Sequence, residues 1–157
     1  MTEIEKLKTI VEQLRSENGC PWDKAQTHES LKPACIEEAA EVICGINILT
    51  KTGDAENLKE ELGDLLLQVM FHAVLAEEEG LFTFDDVAKT VSDKMVRRHP
   101  HVFADVVYES REEQLRAWEN IKKTEKAGKE WREDYLPAAF NEARDLIQKA
   151  KERKHYQ

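Results

Sequence analysis

The stretch Leu65-Leu66-Leu67-Gln68-Val69-Met70-Phe71-His72-Ala73-Val74-Leu75-Ala76 is apolar nearly all the way round a helical wheel. A helix of that kind avoids water on every side, so it must lie inside the fold with other elements packed about it. Of its two polar members, Gln68 and His72, the histidine is expected as a satisfied core residue. The other helices are marked by their ends. Six glycines and four prolines fall at plausible helix boundaries. The pattern predicts helices over residues 2–17, from about Ser30 to just before Gly53, over 54–79, over 83–98, over 109–127, and after Pro137. Pro33 stands in a first turn, where a missing N–H does little harm. Asp54 can cap the third helix, Gly80 suits its C-terminal cap, and Thr83 with Asp86 resembles a capping box. Residues 18–23 read as a turn and residues 101–108 as irregular or briefly extended. No convincing strand series exists, so the expected class is all-α, a helical bundle. We divide it into a helical domain at 1–107 and a charged helical extension at 108–157.

The 157 residues carry 32 acids against 23 Lys and Arg, a net charge of −9. That excess is uneven. Residues 1–107 hold 21 acids and 11 bases, and residues 108–157 hold 11 and 12. A chain this acidic is a poor binder of nucleic-acid polymers, which need clustered cations against phosphate. No apolar run reaches the roughly 18 residues of a membrane span. The first ten residues are charged and amphipathic, unlike a secretory leader. Cys20, Cys35 and Cys44 make an odd set with no CxxC pair. Cys35 and Cys44, nine residues apart on one helix, lie about 13 Å apart, too far to bridge. A reducing cytoplasm is the simple reading.

The acids themselves are the informative feature. Glu37-Glu38-x-x-Glu41 lies on the second helix and Glu61-x-x-Asp64 on the third. Glu38 and Glu41 are i,i+3, as are Glu61 and Asp64, so each pair shares a helix face. Glu38 and Glu41 border the stripe Ala39, Val42, Ile46, Leu49, and Gly45 is expected to leave open space beside them. None of the four has a cation three or four residues away. Acids beside an apolar interior repel one another and shift their pKa values upward, and a divalent cation removes that penalty. A hairpin between the two helices brings the pairs face to face. All-oxygen ligands favour Mg²⁺ or Mn²⁺. Such a site suits phosphate chemistry.

Phosphate chemistry also needs cations. Lys94 and Arg98 are i,i+4 and flank the stripe Phe84, Val87, Val91, Met95 on its interior side, with Arg97 further out. They suit polyphosphate oxygens, or else pair with neighbouring carboxylates or the helix dipole. His99 and His101 flank Pro100 as weaker candidates. Trp22, in a turn with Asp23, either stacks on a base or anchors two helices. Trp118 and Trp131 read as packing or interface residues. On the residues alone, a non-catalytic metal or nucleotide regulator and a helical interaction module stay open beside an enzyme.

The blocks Asn18-Gly19-Cys20-Pro21-Trp22-Asp23 with Gln26-Thr27, Glu37-Glu38-x-x-Glu41, Glu60-Glu61-Leu62-Gly63-Asp64-Leu65-Leu66, Arg97-Arg98-His99-Pro100-His101-Val102-Phe103 and Trp118-Glu119-x-Ile121-Lys122 occur in this order. In this the chain resembles the MazG family of all-α nucleoside triphosphate pyrophosphohydrolases, over residues 5–123. The resemblance implies Mg²⁺-dependent hydrolysis of NTP or dNTP to the monophosphate and pyrophosphate, in the service of nucleotide-pool house-cleaning. It implies Glu38, Glu41, Glu61 and Asp64 as metal ligands and Glu37 as the residue that orients or deprotonates water. It further implies Lys94 and Arg98 as catalytic phosphate contacts, with Arg97 beside them, and Trp22 and Asp23 near the nucleoside. Such proteins are typically at least dimers. Residues 124–157 lie beyond the resemblance.

Overall fold

The computed structural model describes residues 1–156. Its helices are α1 (Glu3–Arg15), α2 (Pro21–Lys24), α3 (Lys32–Thr52), α4 (Glu56–Glu78), α5 (Phe84–Arg98), α6 (Pro100–Phe103), α7 (Arg111–Lys126) and α8 (Leu136–Arg153), with a 3₁₀ segment at Glu130–Tyr135. No strand occurs among the described residues, and the fold is all-α. No helix is long and apolar enough to cross a membrane among them. The chain forms two compact units. One comprises residues 1–84 with residues from 141 onward, and the other residues 85–140.

In the first unit α4 is the centre. Met70, Phe71, Val74 and Leu75 of α4 join Val11 of α1 and Leu31 in one buried cluster, flanked by Leu7, Leu67 and Phe84. Burying each such side chain contributes roughly 1.5–3 kcal/mol. α3 and α4 pair as a hairpin joined by residues 53–55. Gly53 takes φ 79° as the C-cap of α3. Asp54 accepts the Glu56 N–H at 2.9 Å, opening α4. At the far end Gly80 has φ 70°. There the Gly80 N–H meets the Glu77 carbonyl at 3.0 Å and the Leu81 N–H the Ala76 carbonyl at 2.8 Å, a helix stop that a left-handed residue permits.

Local detail departs from the sequence reading in three places. The 18–23 turn closes into a helical turn at Pro21–Lys24, and residues 100–103 make another. In each a proline occupies the first helical positions, where its fixed φ is already helical. The second helix starts at Lys32 rather than Ser30. Thr27 and Ser30 close a reciprocal pair of side chain to backbone hydrogen bonds, 2.8 and 3.1 Å, which hold the chain in a turn before the helix. Arg15 locks this turn region to the core. Its guanidinium donates to Glu78 at 2.9 and 2.7 Å and to the carbonyls of Asp23 and Gln26 at 2.7 and 3.1 Å, with its side chain only 7% exposed.

His72 sits on α4 as expected, and its partners are specific. His28 Nδ1 and His72 Nδ1 are 2.7 Å apart, and His72 Nε2 is 3.2 Å from Cys35 Sγ. Burial, with a smaller contribution from His28, pulls the His72 pKa below its usual 6.5. The folded state therefore binds its proton less readily than the unfolded chain, so this contribution to stability is present above 6.5 and is lost as pH falls through the depressed value. Thermal denaturation across that window should show the wild type losing Tm more steeply than His72→Gln. Parallel slopes would remove His72 as the cause.

Candidate active site

α3 and α4 approach so closely that a Cβ on Gly45 would stand 2.7 Å from Leu58 Cα. The expected open space beside Glu41 is thus filled by the backbone of α4, because glycine there lets the two helices touch. This contact fixes how the acidic residues meet. Carboxylate oxygens of Glu38, Glu61 and Asp64 lie within 4.8 Å of one another. That is near the span over which one octahedral ion, about 2.1 Å from each oxygen, holds its ligands. Glu61 is only 9% exposed and accepts from Asn57 Nδ2 at 2.8 Å. The Asn57 amide oxygen is buried with no partner. Burial, then the charges of Glu41, Asp64, Glu61 and Glu37, push the Glu38 pKa up. A cation would relieve both the burial and the mutual repulsion that raise this carboxylate, so these residues fit a hard divalent ion.

Glu37 and Glu41 are engaged differently. Arg153 donates to Glu37 at 2.6 Å, and Lys154 to Glu41 at 2.5 Å. The Glu41 hydrogen bond, against a smaller effect of burial, raises the Lys154 pKa. Arg153 ends α8 and Lys154 follows it, more than a hundred residues along the chain, where no helical-spacing test reaches them. The sequence reading that Glu38, Glu41, Glu61 and Asp64 have no cation within their own helices holds, and Lys154 reaches Glu41 from elsewhere in the fold. Asn57 was within reach of that test, as a neutral neighbour one turn before Glu61.

Glu37, Glu41 and Glu61 open onto a cavity of about 380 Å³, also lined by Asn57, Lys151, Lys154 and Tyr156. Trp22 is 69% exposed, which overturns the alternative that it anchors two helices, while Asp23 is held through its carbonyl by Arg15.

In the second unit, Arg97 and Arg98 both bind Glu125, at 2.6 Å each. The Arg98 hydrogen bond, with help from Arg97 and against burial, holds the Glu125 carboxyl below its usual range. Lys94 is half-buried. His99 Nδ1 lies 2.7 Å from the Met95 carbonyl, and His101 Nε2 3.1 Å from the Gln114 amide nitrogen. Trp118 lies under the Lys122 ammonium, 4.5 Å from the ring centre. Trp131 packs edge-on with Tyr135.

Residues 26–103 match the MazG nucleotide pyrophosphohydrolase domain. This stretch contains both acidic pairs and the Lys94–Arg98 turn. Among similar proteins, YabN of Bacillus subtilis is 52% identical over 79% of this chain and 24% of its own length. A nucleoside triphosphate pyrophosphohydrolase of Escherichia coli is 49% identical over 82% of this chain and 48% of its own. The nucleoside triphosphate pyrophosphohydrolase/pyrophosphatase MazG of Thermotoga maritima is 52% identical over 80% and 46%. The chain thus spans from a quarter to about half the length of these relatives. Identity near one half over four-fifths of the chain, with a domain match that takes in the whole acidic hairpin, shows that this chain belongs to the MazG family.

Proposed function

We propose that the chain is a metal-dependent nucleoside triphosphate pyrophosphohydrolase, cleaving NTP or dNTP between the α and β phosphates. The observation that carries this reading is the convergence of Glu38, Glu61 and Asp64 from two helices onto one point. Glu38, Glu41, Glu61 and Asp64 would hold Mg²⁺ or Mn²⁺. A bound ion of this kind neutralises charge on phosphate oxygens and lowers the pKa of the attacking water.

The remaining chemistry is assigned to side chains. Glu37 takes the proton from water as its oxygen attacks the α-phosphorus, and the bond from that phosphorus to the αβ-bridging oxygen breaks. Arg153, hydrogen-bonded to one Glu37 oxygen, supports this role by fixing the carboxylate. Lys94 and Arg98 meet the charge that builds on the departing pyrophosphate, with Arg97 beside them. Trp22 offers an exposed ring to the base and Asp23 lies next to it. We further assign catalysis to residues 1–107, with residues 108–157 as an appended helical segment, and place the activity in the cytoplasm as nucleotide house-cleaning.

A homodimer or higher homo-oligomer belongs to the same proposal. Ile43 and Ile46 on α3 and Leu62 and Val69 on α4 are exposed. Ile46 was expected in the core stripe, and its exposure supports an apolar flank that a second copy would cover.

³¹P NMR of the protein with each common NTP and dNTP tests the reaction. Monophosphate and pyrophosphate are expected with Mg²⁺ and absent with excess EDTA. Diphosphate with inorganic phosphate would overturn the assignment of the cleaved bond, and no product from any nucleotide would overturn the enzyme.

A further inference from the structure

The cavity beside the acidic hairpin has two chemically opposite walls. Glu37, Glu41 and Glu61 line one side, and Lys151 near the end of α8 and Lys154 just beyond it stand on the other. Ala40, Cys44, Ile48, Ile147 and Ala150 also line it. At about 380 Å³ it is within the range of small-molecule sites. Its occupant has to satisfy both walls. An apolar ligand would strand the charges, a simple anion would meet the carboxylates, and a simple cation would meet the ammonium groups. A polyanion carried as its divalent-cation complex satisfies all of them.

Three features point to a ligand here. Lys151 is half-buried, lines the cavity and makes no ion pair among the described residues, so an anion bound in the cavity would be its counter-charge. Lys154 spends its charge on Glu41. Once Glu41 serves as a cation ligand, that ammonium is freed to meet a phosphate oxygen. The Asn57 amide oxygen is buried and unpartnered in the lining of the same cavity, so a ligand hydroxyl or a bound water would complete it.

We propose that the C-terminal turn of α8 is a polyphosphate-binding wall, with Lys151 and Lys154 contacting the phosphate chain of the nucleotide complex held by the acidic hairpin. The wall lies outside the matched domain at residues 26–103. It rests on the proposed function in taking the hairpin as the metal site. It adds substrate-binding residues to a helix that the sequence reading treated only as a charged extension.

Calorimetric binding of inorganic tripolyphosphate in the presence of Mg²⁺ tests the wall without turnover. Against the wild type, Lys151→Ala should weaken Kd by about tenfold and Lys151→Ala with Lys154→Ala by about a hundredfold, the scale of charge-assisted hydrogen bonds. Lys151→Arg should recover most of the loss. Lys149→Ala, an exposed lysine outside the cavity, should bind as the wild type does. The KM for nucleoside triphosphate should rise in step with Kd, while circular dichroism stays unchanged. Unaltered binding in the double variant, or equal weakening by Lys149→Ala, would overturn the wall. Turnover with wild-type KM in the double variant would also overturn it and leave the enzyme standing. Lysine-dependent tripolyphosphate binding by a protein that turns over no nucleotide would support the wall and defeat the enzyme.

Discussion

Asp64→Asn should leave the helical content of the protein intact and reduce kcat by about 10³-fold or more, the scale reached when a group that organises transition-state charge is removed. The substitution keeps the shape of the side chain and deletes one negative charge from the cluster with Glu38 and Glu61. Calorimetric titration with Mg²⁺ or Mn²⁺ should then show weakened or absent binding. Glu38→Gln tests the same cluster from the stability side. Burial and four neighbouring acids raise the Glu38 pKa, so the folded chain binds this proton more tightly than the unfolded chain. Its stabilising effect is therefore present at low pH and is lost as pH rises through the raised value. At neutral pH the metal-free Glu38→Gln protein should melt at a higher temperature than the metal-free wild type. It should also lose the increase in Tm that added metal gives the wild type. Full turnover by Asp64→Asn, or a Glu38→Gln protein that melts lower, would contradict the metal-site assignment.

Gly45→Val should be the most damaging single change among the glycines of the hairpin. The first added carbon would stand 2.7 Å from Leu58 Cα and 3.0 Å from Leu58 N, and backbone cannot rotate aside as a side chain can. Removing glycine from a helix gains at most about 1 kcal/mol for alanine. Overpacking costs about 1–3 kcal/mol, and valine adds two further methyl groups. A net loss of about 2 kcal/mol is expected in urea denaturation, read as a lower midpoint at unchanged slope. The two helices have to separate to accept the side chain. Since Glu41 is one turn from Gly45, metal affinity should fall together with stability. Gly63→Ala is the control. It lies on α4 between Glu61 and Asp64, and a Cβ there meets nothing within 4 Å. It should stabilise the protein by up to about 1 kcal/mol. Gly45→Val at wild-type stability would refute the close helix contact as the element that sets the site.

What the sequence made legible was what lies close together along the chain. The apolar run from Leu65 to Ala76 announces a buried helix whatever surrounds it, and four of its residues do form the core. The i,i+3 spacing of Glu38 with Glu41 and of Glu61 with Asp64 places each pair on one face without further knowledge. The hairpin that joins the pairs follows from Gly53 and Asp54. What escaped was distant in sequence. Arg153 and Lys154 bind Glu37 and Glu41 across more than a hundred residues, and periodicity has no term for such contacts. Gly45 was read as leaving space because a missing side chain looks the same on paper whether the gap stays open or a neighbouring backbone fills it. Trp22 could not be assigned between stacking on a base and anchoring two helices, since a lone aromatic in a turn carries no pattern. Pro21 was read inside a turn and Pro100 at a helix end, although each opens a helical turn.

The acidic residues that meet in the folded protein all lie between Glu37 and Asp64, on two helices joined by residues 53–55. Bringing them together requires closure of one short loop, whose entropic cost grows only slowly with length and is small here. Contacts of this local kind form early and quickly. The acids can therefore converge without the distant end of α8, and their mutual repulsion comes with the hairpin itself. Arg153 and Lys154 offset part of that repulsion, at Glu37 and Glu41. A chain shortened before α8 should still pair α3 with α4, and would carry that repulsion unrelieved until a cation reached it.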